Sequence, residues 1–263
     1  TGNGGVTFGG TTGTGSTTVT KTDGQAATND TVSGNAVEFG VVKVDESGST
    51  QSIETVTIDG FADNSGVGVN GAGNETLNKL DSLTLRNNED TTTAGSAASI
   101  NVGSTTETLD LTLDNITSEQ SNATVNLDDD GIGGTSADLK DLTINSEGSA
   151  SSFILAAASV SDLTVNAAQD LELLGASDVG SSNRLETVLV NGAGEVDLGD
   201  LNTGLSSSNM NSFDASGNTG GVTAQFLAEA DEVGTIEEFK LSDSRDIVTA
   251  LSGGDSTVDV DIS

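Results

Sequence analysis

The sequence predicts an all-β fold: a right-handed parallel β-helix, or β-solenoid, with about eight coils of 21–31 residues. Three observations predict it. A phrase of the form Leu139-Lys-Asp-Leu-Thr-Ile-Asn145 returns along most of the chain, apolar at its first, fourth and sixth positions. Among 263 residues there is no proline, where average usage near 5% gives roughly 13. That bias fits a backbone whose N–H groups are spent in ladders that exclude proline. Hydrophobic content is 33% and aromatic content 3%, too little for a compact core of large side chains.

Taken in order, residues 1–36 form a Gly/Thr-rich N-terminal arm or irregular first coils, and residues 37–263 form the solenoid. The arm is typified by Gly9-Gly-Thr-Thr-Gly-Thr-Gly-Ser16 and carries two short alternating runs, Val6-Thr-Phe8 and Thr17-Thr-Val-Thr20. By itself it buries too little to offset its ordering entropy. It is a flexible arm, a strand-forming arm that orders against a neighbouring subunit, or a set of irregular first coils. Val37 to Val44 reads as the first solid strand.

The phrases start at Ile53, Leu80, Thr108, Leu139, Val160, Leu185, Met210 and Ile236, with steps of 27, 28, 31, 21, 25, 25 and 26 by subtraction. Their fourth positions are Val56, Leu83, Leu111, Leu142, Leu163, Val188, Phe213 and Phe239. Their sixth are Ile58, Leu85, Leu113, Ile144, Val165, Val190, Ala215 and Leu241. Fourth and sixth share the inward face, because strand side chains alternate with period two. A second apolar pair follows many phrases: Ile100/Val102, Val125/Leu127, Leu171/Leu173, Val196/Leu198, Val222/Phe226 and Val258/Val260. Each coil therefore holds at least two strands and a turn. Ala224 to Glu238 is the best candidate for a turn or two of helix. The 31-residue step implies an inserted turn.

Stacking converts positions into columns. Asn145, Asn166 and Asn191 form an expected amide ladder. Position five runs Thr57, Thr84, Thr112, Thr143, Thr164. Position three places Asp110, Asp141 and Asp162 in one acidic column, either splayed into solvent or bridged by a cation. Like charges 5 Å apart repel by about 0.8 kcal/mol even in bulk water.

Net charge is 8 − 41 = −33. Such a surface repels nucleic acid and anionic membrane, and no stretch is long and apolar enough for membrane insertion. Compensation by Ca²⁺ is expected, because this hard cation takes carboxylate and carbonyl oxygens. Besides the column, candidate ligands lie in acidic turns: Asp128, Asp129 and Asp130; Asp59 and Asp63; Asp90; Asp243 and Asp246; and Asp255. None has EF-hand spacing. The chain has no Cys, His, Trp or Tyr, and its eight Lys and Arg are scattered. Zinc sites, nucleophile–base triads and aromatic sugar platforms are thereby excluded, and no enzyme is expected.

Leu139-Lys-Asp-Leu-Thr-Ile-Asn-Ser-Glu-Gly148 and Met210-Asn-Ser-Phe-Asp-Ala-Ser-Gly-Asn-Thr-Gly-Gly-Val222 resemble repeats of S-layer proteins of Gram-negative bacteria, within the RTX-type, type-I-secreted surface proteins. The resemblance covers roughly residues 50–263. It implies a Ca²⁺-stabilised solenoid, secreted to the cell surface, that tiles with copies of itself into a lattice held to lipopolysaccharide or another surface polysaccharide. The regular RTX nonapeptide block is missing. The other expectation is an adhesin or extracellular filament module.

Overall fold

The computed structural model describes residues 3–10, 18–23, 30–33, 40–47, 53–62, 65–68, 77, 79–88, 99–103, 106–117, 123–127, 139–175, 177–180, 184–200, 210–228, 238–242 and 244–252. Its strands begin with β1 (Asn3–Gly10), β2 (Thr18–Asp23), β3 (Asp30–Ser33), β4 (Gly40–Ser47), β5 (Ile53–Phe61), β6 (Ser65–Val67) and β7 (Ser82–Asn88). Then come β8 (Ser99–Val102), β9 (Thr108–Asp114), β10 (Thr124–Asn126), β11 (Asp141–Ser146), β12 (Ser151–Ala157), β13 (Asp162–Ala167) and β14 (Leu171–Leu173). The last are β15 (Asp178–Val179), β16 (Thr187–Gly192), β17 (Val196–Asp200), β18 (Ser212–Asn218), β19 (Val222–Ala228), β20 (Glu238–Lys240) and β21 (Ile247–Ser252).

From β4 onward the chain alternates between two sheets. One runs β1-β4-β6-β8-β10-β12-β14-β17-β19-β21, with β15 added beside β12. The other runs β20-β18-β16-β13-β11-β9-β7-β5-β2-β3. Every pairing from β4 to β21 is parallel. The protein is thus an all-β parallel solenoid built of two sheets. The eight strands β5, β7, β9, β11, β13, β16, β18 and β20 fall on the eight phrases.

Inward residues of both sheets form one continuous core of Leu, Ile, Val and Ala, with Phe61, Phe153 and Phe213 among its largest fully buried members. Outward neighbours are Thr, Ser, Asn and Asp, giving burial that alternates along strands such as β11 and β13. Buried polar side chains stitch coil to coil. Asn88 donates to the Thr117 carbonyl at 2.9 Å and accepts from the Thr117 N–H at 2.8 Å. Asn218, 1% exposed, donates to the Gly194 carbonyl and accepts from the N–H groups of Gly220 and Gly221. A buried amide is tolerated only when so satisfied.

The arm folds onto its own first coil. β1 pairs antiparallel with β4 from Asn3↔Ser47 to Gly10↔Gly40, β2 pairs antiparallel with β5, and β3 with β2.

Three details correct the sequence reading. Between β9 and β11 the register differs by two residues: Leu142 lies opposite Leu109 and Ile144 opposite Leu111. A slip of two keeps the same face inward, so apolar alternation alone permits either register. The adopted one covers Leu109, and it sets the small buried Ser146 opposite Leu113. The step across this insertion is 144 − 111 = 33 residues. The threonine column consequently breaks, since Thr112 faces Asn145 and Thr143 faces Asp110. Secondly, Ala224–Ala228 belongs to strand β19, paired along its length with β21, and is not helical. The rest of that helix candidate, residues 229–237, lies outside the described residues. Thirdly, the strand pairing with β19 is β21, while Val258 and Val260 lie outside the described residues.

Candidate functional site

On the outer face of the second sheet, at the start of β11 and β13, Asp141 stands directly opposite Asp162. The Asp162 carboxylate accepts from the Ser161 hydroxyl at 2.8 Å and from the Thr187 hydroxyl of the next strand. Burial pushes the Asp141 carboxyl above the ordinary 3.8, and the Asp162 charge, a hydrogen bond with Asp162 and the Glu107 charge push the same way. Lys140 opposes them, and its ammonium also donates to Glu107 at 2.8 Å. Asp110 does not belong to this column. The two-residue register difference places it opposite Thr143 and Ser82. The expected column of three is therefore a pair.

That placement yields a pH prediction. Asp141 has a folded pKa above its unfolded value, so its contribution to stability is complete below about 3.8 and is lost as pH rises through the folded value. Asp141→Asn should flatten the pH dependence of urea unfolding at low salt over this interval. The effect is about 0.5–1 kcal/mol, small because the pair is solvated. An unchanged slope in Asp141→Asn would refute the pair.

Asp214 behaves oppositely. Partial burial raises its carboxyl, but hydrogen bonds from the Ser216 N–H and hydroxyl, with the charge and hydrogen bond of Lys240, outweigh burial and lower it. Lys240 is raised, first by its hydrogen bond to Glu238.

Two other candidate ligands serve turns. Asp59 accepts from the Asn87 amide at 2.7 Å, and Asn87 in turn accepts from Asn115 at 2.8 Å. Both asparagines are left-handed, with φ of 51° and 60°, a conformation that Asn tolerates better than most residues. Asp246 accepts from the Val222 N–H, the Ser242 N–H and the Ser242 hydroxyl, and so ties a turn to the start of β19. The expected ladder is present as well: Asn166 donates to Asn145 at 3.0 Å, and Asn191 donates to Asn166 at 3.2 Å.

Asp63, Asp90, Asp128, Asp129, Asp130, Asp243 and Asp255 lie outside the described residues. Among the described residues no three acidic side chains gather around one point. Ca²⁺ takes six to eight oxygens, and Asp141 with Asp162 supplies only two carboxylates, so the described residues do not form a cage for it.

The sequence reading missed a groove of 590 Å³ on the first sheet. Its apolar members include Ile116, Leu171 and Leu174, and its acidic members are Asp170, Glu172, Glu195 and Asp197. It lies across β12, β14 and β17, where β14 pairs with Ser151–Phe153 on one side and with Val196–Asp197 on the other. Glu172 accepts from the Ser152 hydroxyl at 2.7 Å and stands opposite Asp197. The Asp170 carboxylate accepts from the Glu195 N–H at 2.8 Å. One sequence signal pointed here. The 25-residue step lays acid on acid twice, since 195 − 170 = 197 − 172 = 25.

No known relative decides the matter. No model of a known protein family, no curated protein and no solved structure matches the chain.

Proposed function

We propose that the protein is a structural subunit of a bacterial surface layer, secreted to the cell surface, where copies assemble into an extracellular lattice. The observation that carries this reading is the stack itself: a regular two-sheet rod whose outward positions are short polar side chains. Such a rod presents repeated, shape-defined surfaces for lateral packing. The S-layer-like phrases, the absence of cysteine and the charge of −33 support it. Divalent cations, Ca²⁺ foremost, would screen that charge, and the acidic clusters of the sequence outside the described residues are where it would bind. Lipopolysaccharide or another surface polysaccharide is the expected anchor.

Purified protein with millimolar Ca²⁺ is expected to form periodic sheets visible by negative-stain electron microscopy, and excess chelator should disperse them. Sheets indifferent to chelator would remove Ca²⁺ from the mechanism. Persistent monomers at all Ca²⁺ concentrations would remove the lattice. The groove, with its convergent carboxylates and hydroxyls, favours a second reading as an adhesin module. Saturable binding of a surface polysaccharide by a chain that remains monomeric would support that reading.

A further inference from the structure

We infer that the antiparallel N-terminal strands are a removable cap, covering a surface that fits the last described coil of a second copy of this chain. The inference deepens the assembly reading and rests on it for its purpose. Among the described residues both sheets reach both ends of the stack: β4 and β5 lie at one end beneath the cap, β21 and β20 at the other. Each interior coil presents to the next a parallel edge in each sheet and a rung of apolar side chains. A stack of that kind is complementary to its own translated copy. If the cap is lifted, β4 can add beside β21 and β5 beside β20, so that both ladders continue across the junction in the parallel sense used throughout the body.

The apolar rungs agree. Under the cap, Val42, Val44, Val56 and Ile58 are fully buried. At the far end the inward residues Leu241 and Val248 are only partly covered where they pack on the core. A first coil from a second copy would add the missing rung. The cap itself is weakly built. Four of the eight residues of β1 are glycine, which lowers strand stability. β3 has only four residues. The cap also pairs antiparallel, so it ends the stack without offering a parallel edge of its own. A head-to-tail contact is heterologous and extends as a filament, which explains why a closing device is useful.

The chain has no cysteine, so the cap can be locked cleanly. Thr7 faces Lys43 and Thr20 faces Thr57 across the two antiparallel pairs. The full-length quadruple variant Thr7→Cys, Lys43→Cys, Thr20→Cys, Thr57→Cys should stay a single rod when oxidised and elongate end to end when reduced. A second variant, Val6→Pro with Val19→Pro, weakens the cap's ladders. It should associate at about tenfold or more lower concentration than the parent, read by sedimentation velocity and electron microscopy. Elongation of the oxidised form matching that of the reduced form would overturn the inference, as would a proline variant that remains single rods. Ca²⁺-dependent sheets from the oxidised form as readily as from the parent would also remove the gating role, while leaving the lattice reading in place. Rods from the proline variant, with no sheets from the parent, would uphold the cap and remove the lattice.

Discussion

Phe213→Ala is expected to lower the unfolding free energy by about 3–5 kcal/mol, the usual cost of emptying a buried aromatic site. Phe213 is fully buried, lies opposite Val188 on one side and Phe239 on the other, and stacks on Phe239 with ring centroids 5.4 Å apart. The core around it is aliphatic and thin, since each coil contributes only a few apolar side chains. Little is at hand to collapse into the space. In a stack each coil is stabilised mainly by its neighbours, so the loss should not spread evenly. The coil carrying β20 and β21 should loosen first, because Phe239 loses its stacking partner. Urea unfolding followed by circular dichroism measures the total. Hydrogen exchange should show the amides of β20 and β21 losing protection before those of β11 and β13. A change below about 1 kcal/mol, or uniform loss of protection, would contradict this account.

Gly192→Ala is expected to cost about 2–6 kcal/mol, from two sources that act together. The backbone at Gly192 has φ of 114°, where a residue with a Cβ is strained by about 1–3 kcal/mol. A Cβ there would also lie 2.1 Å from the carbonyl oxygen of Ala167 and 2.6 Å from its carbon. Those atoms are backbone of the adjacent coil, paired with Gly192 in the ladder, and cannot swing aside. Forced overpacking of that kind typically adds about 1–3 kcal/mol. Gly175→Ala is the matched control. Its added Cβ meets nothing within 4 Å, and surface changes of that sort stay within about 0.5 kcal/mol. Thermal unfolding of the two variants side by side is sufficient. Equal midpoints would mean that coil-to-coil spacing at this turn is looser than described.

Most of the architecture was legible because one signal, the apolar fourth and sixth positions, repeats eight times. It located the eight parallel strands of the second sheet, though not β2 and β3. It could not choose between registers two residues apart, because Leu109, Leu111 and Leu113 offer three equivalent inward rungs and the phrase needs only two. That ambiguity alone moved Asp110 out of the acidic column. β12 was missed because the run Phe153-Ile-Leu-Ala156 is continuously apolar and carries no alternation. β21 was missed because it follows Asp243-Ser-Arg-Asp246, which reads as an acidic turn. The Asn145–Asn166–Asn191 ladder was readable, since like side chains recur at one position. The Asp59–Asn87–Asn115 ladder was not, because Asp59 is the seventh residue of its phrase while Asn87 and Asn115 sit one residue beyond theirs, and the residue type changes as well. The groove was hidden for another reason. It is assembled from Ile116, Ser152, Glu172 and Asp197, which come from four separate segments, and no single segment records that arrangement.

The parallel pairing described above has a mechanical consequence. Hydrogen bonds between coils run along the axis of the rod, and covalent chain runs around it. Tension applied between the two ends therefore meets one coil-to-coil seam at a time, and the molecule should yield by peeling off successive coils at modest, repeated forces. Load applied across the axis is borne by backbone and by many ladders in parallel. Each rod should therefore resist stretching across its axis far better than along it, and that direction is set by the way the chain is wound.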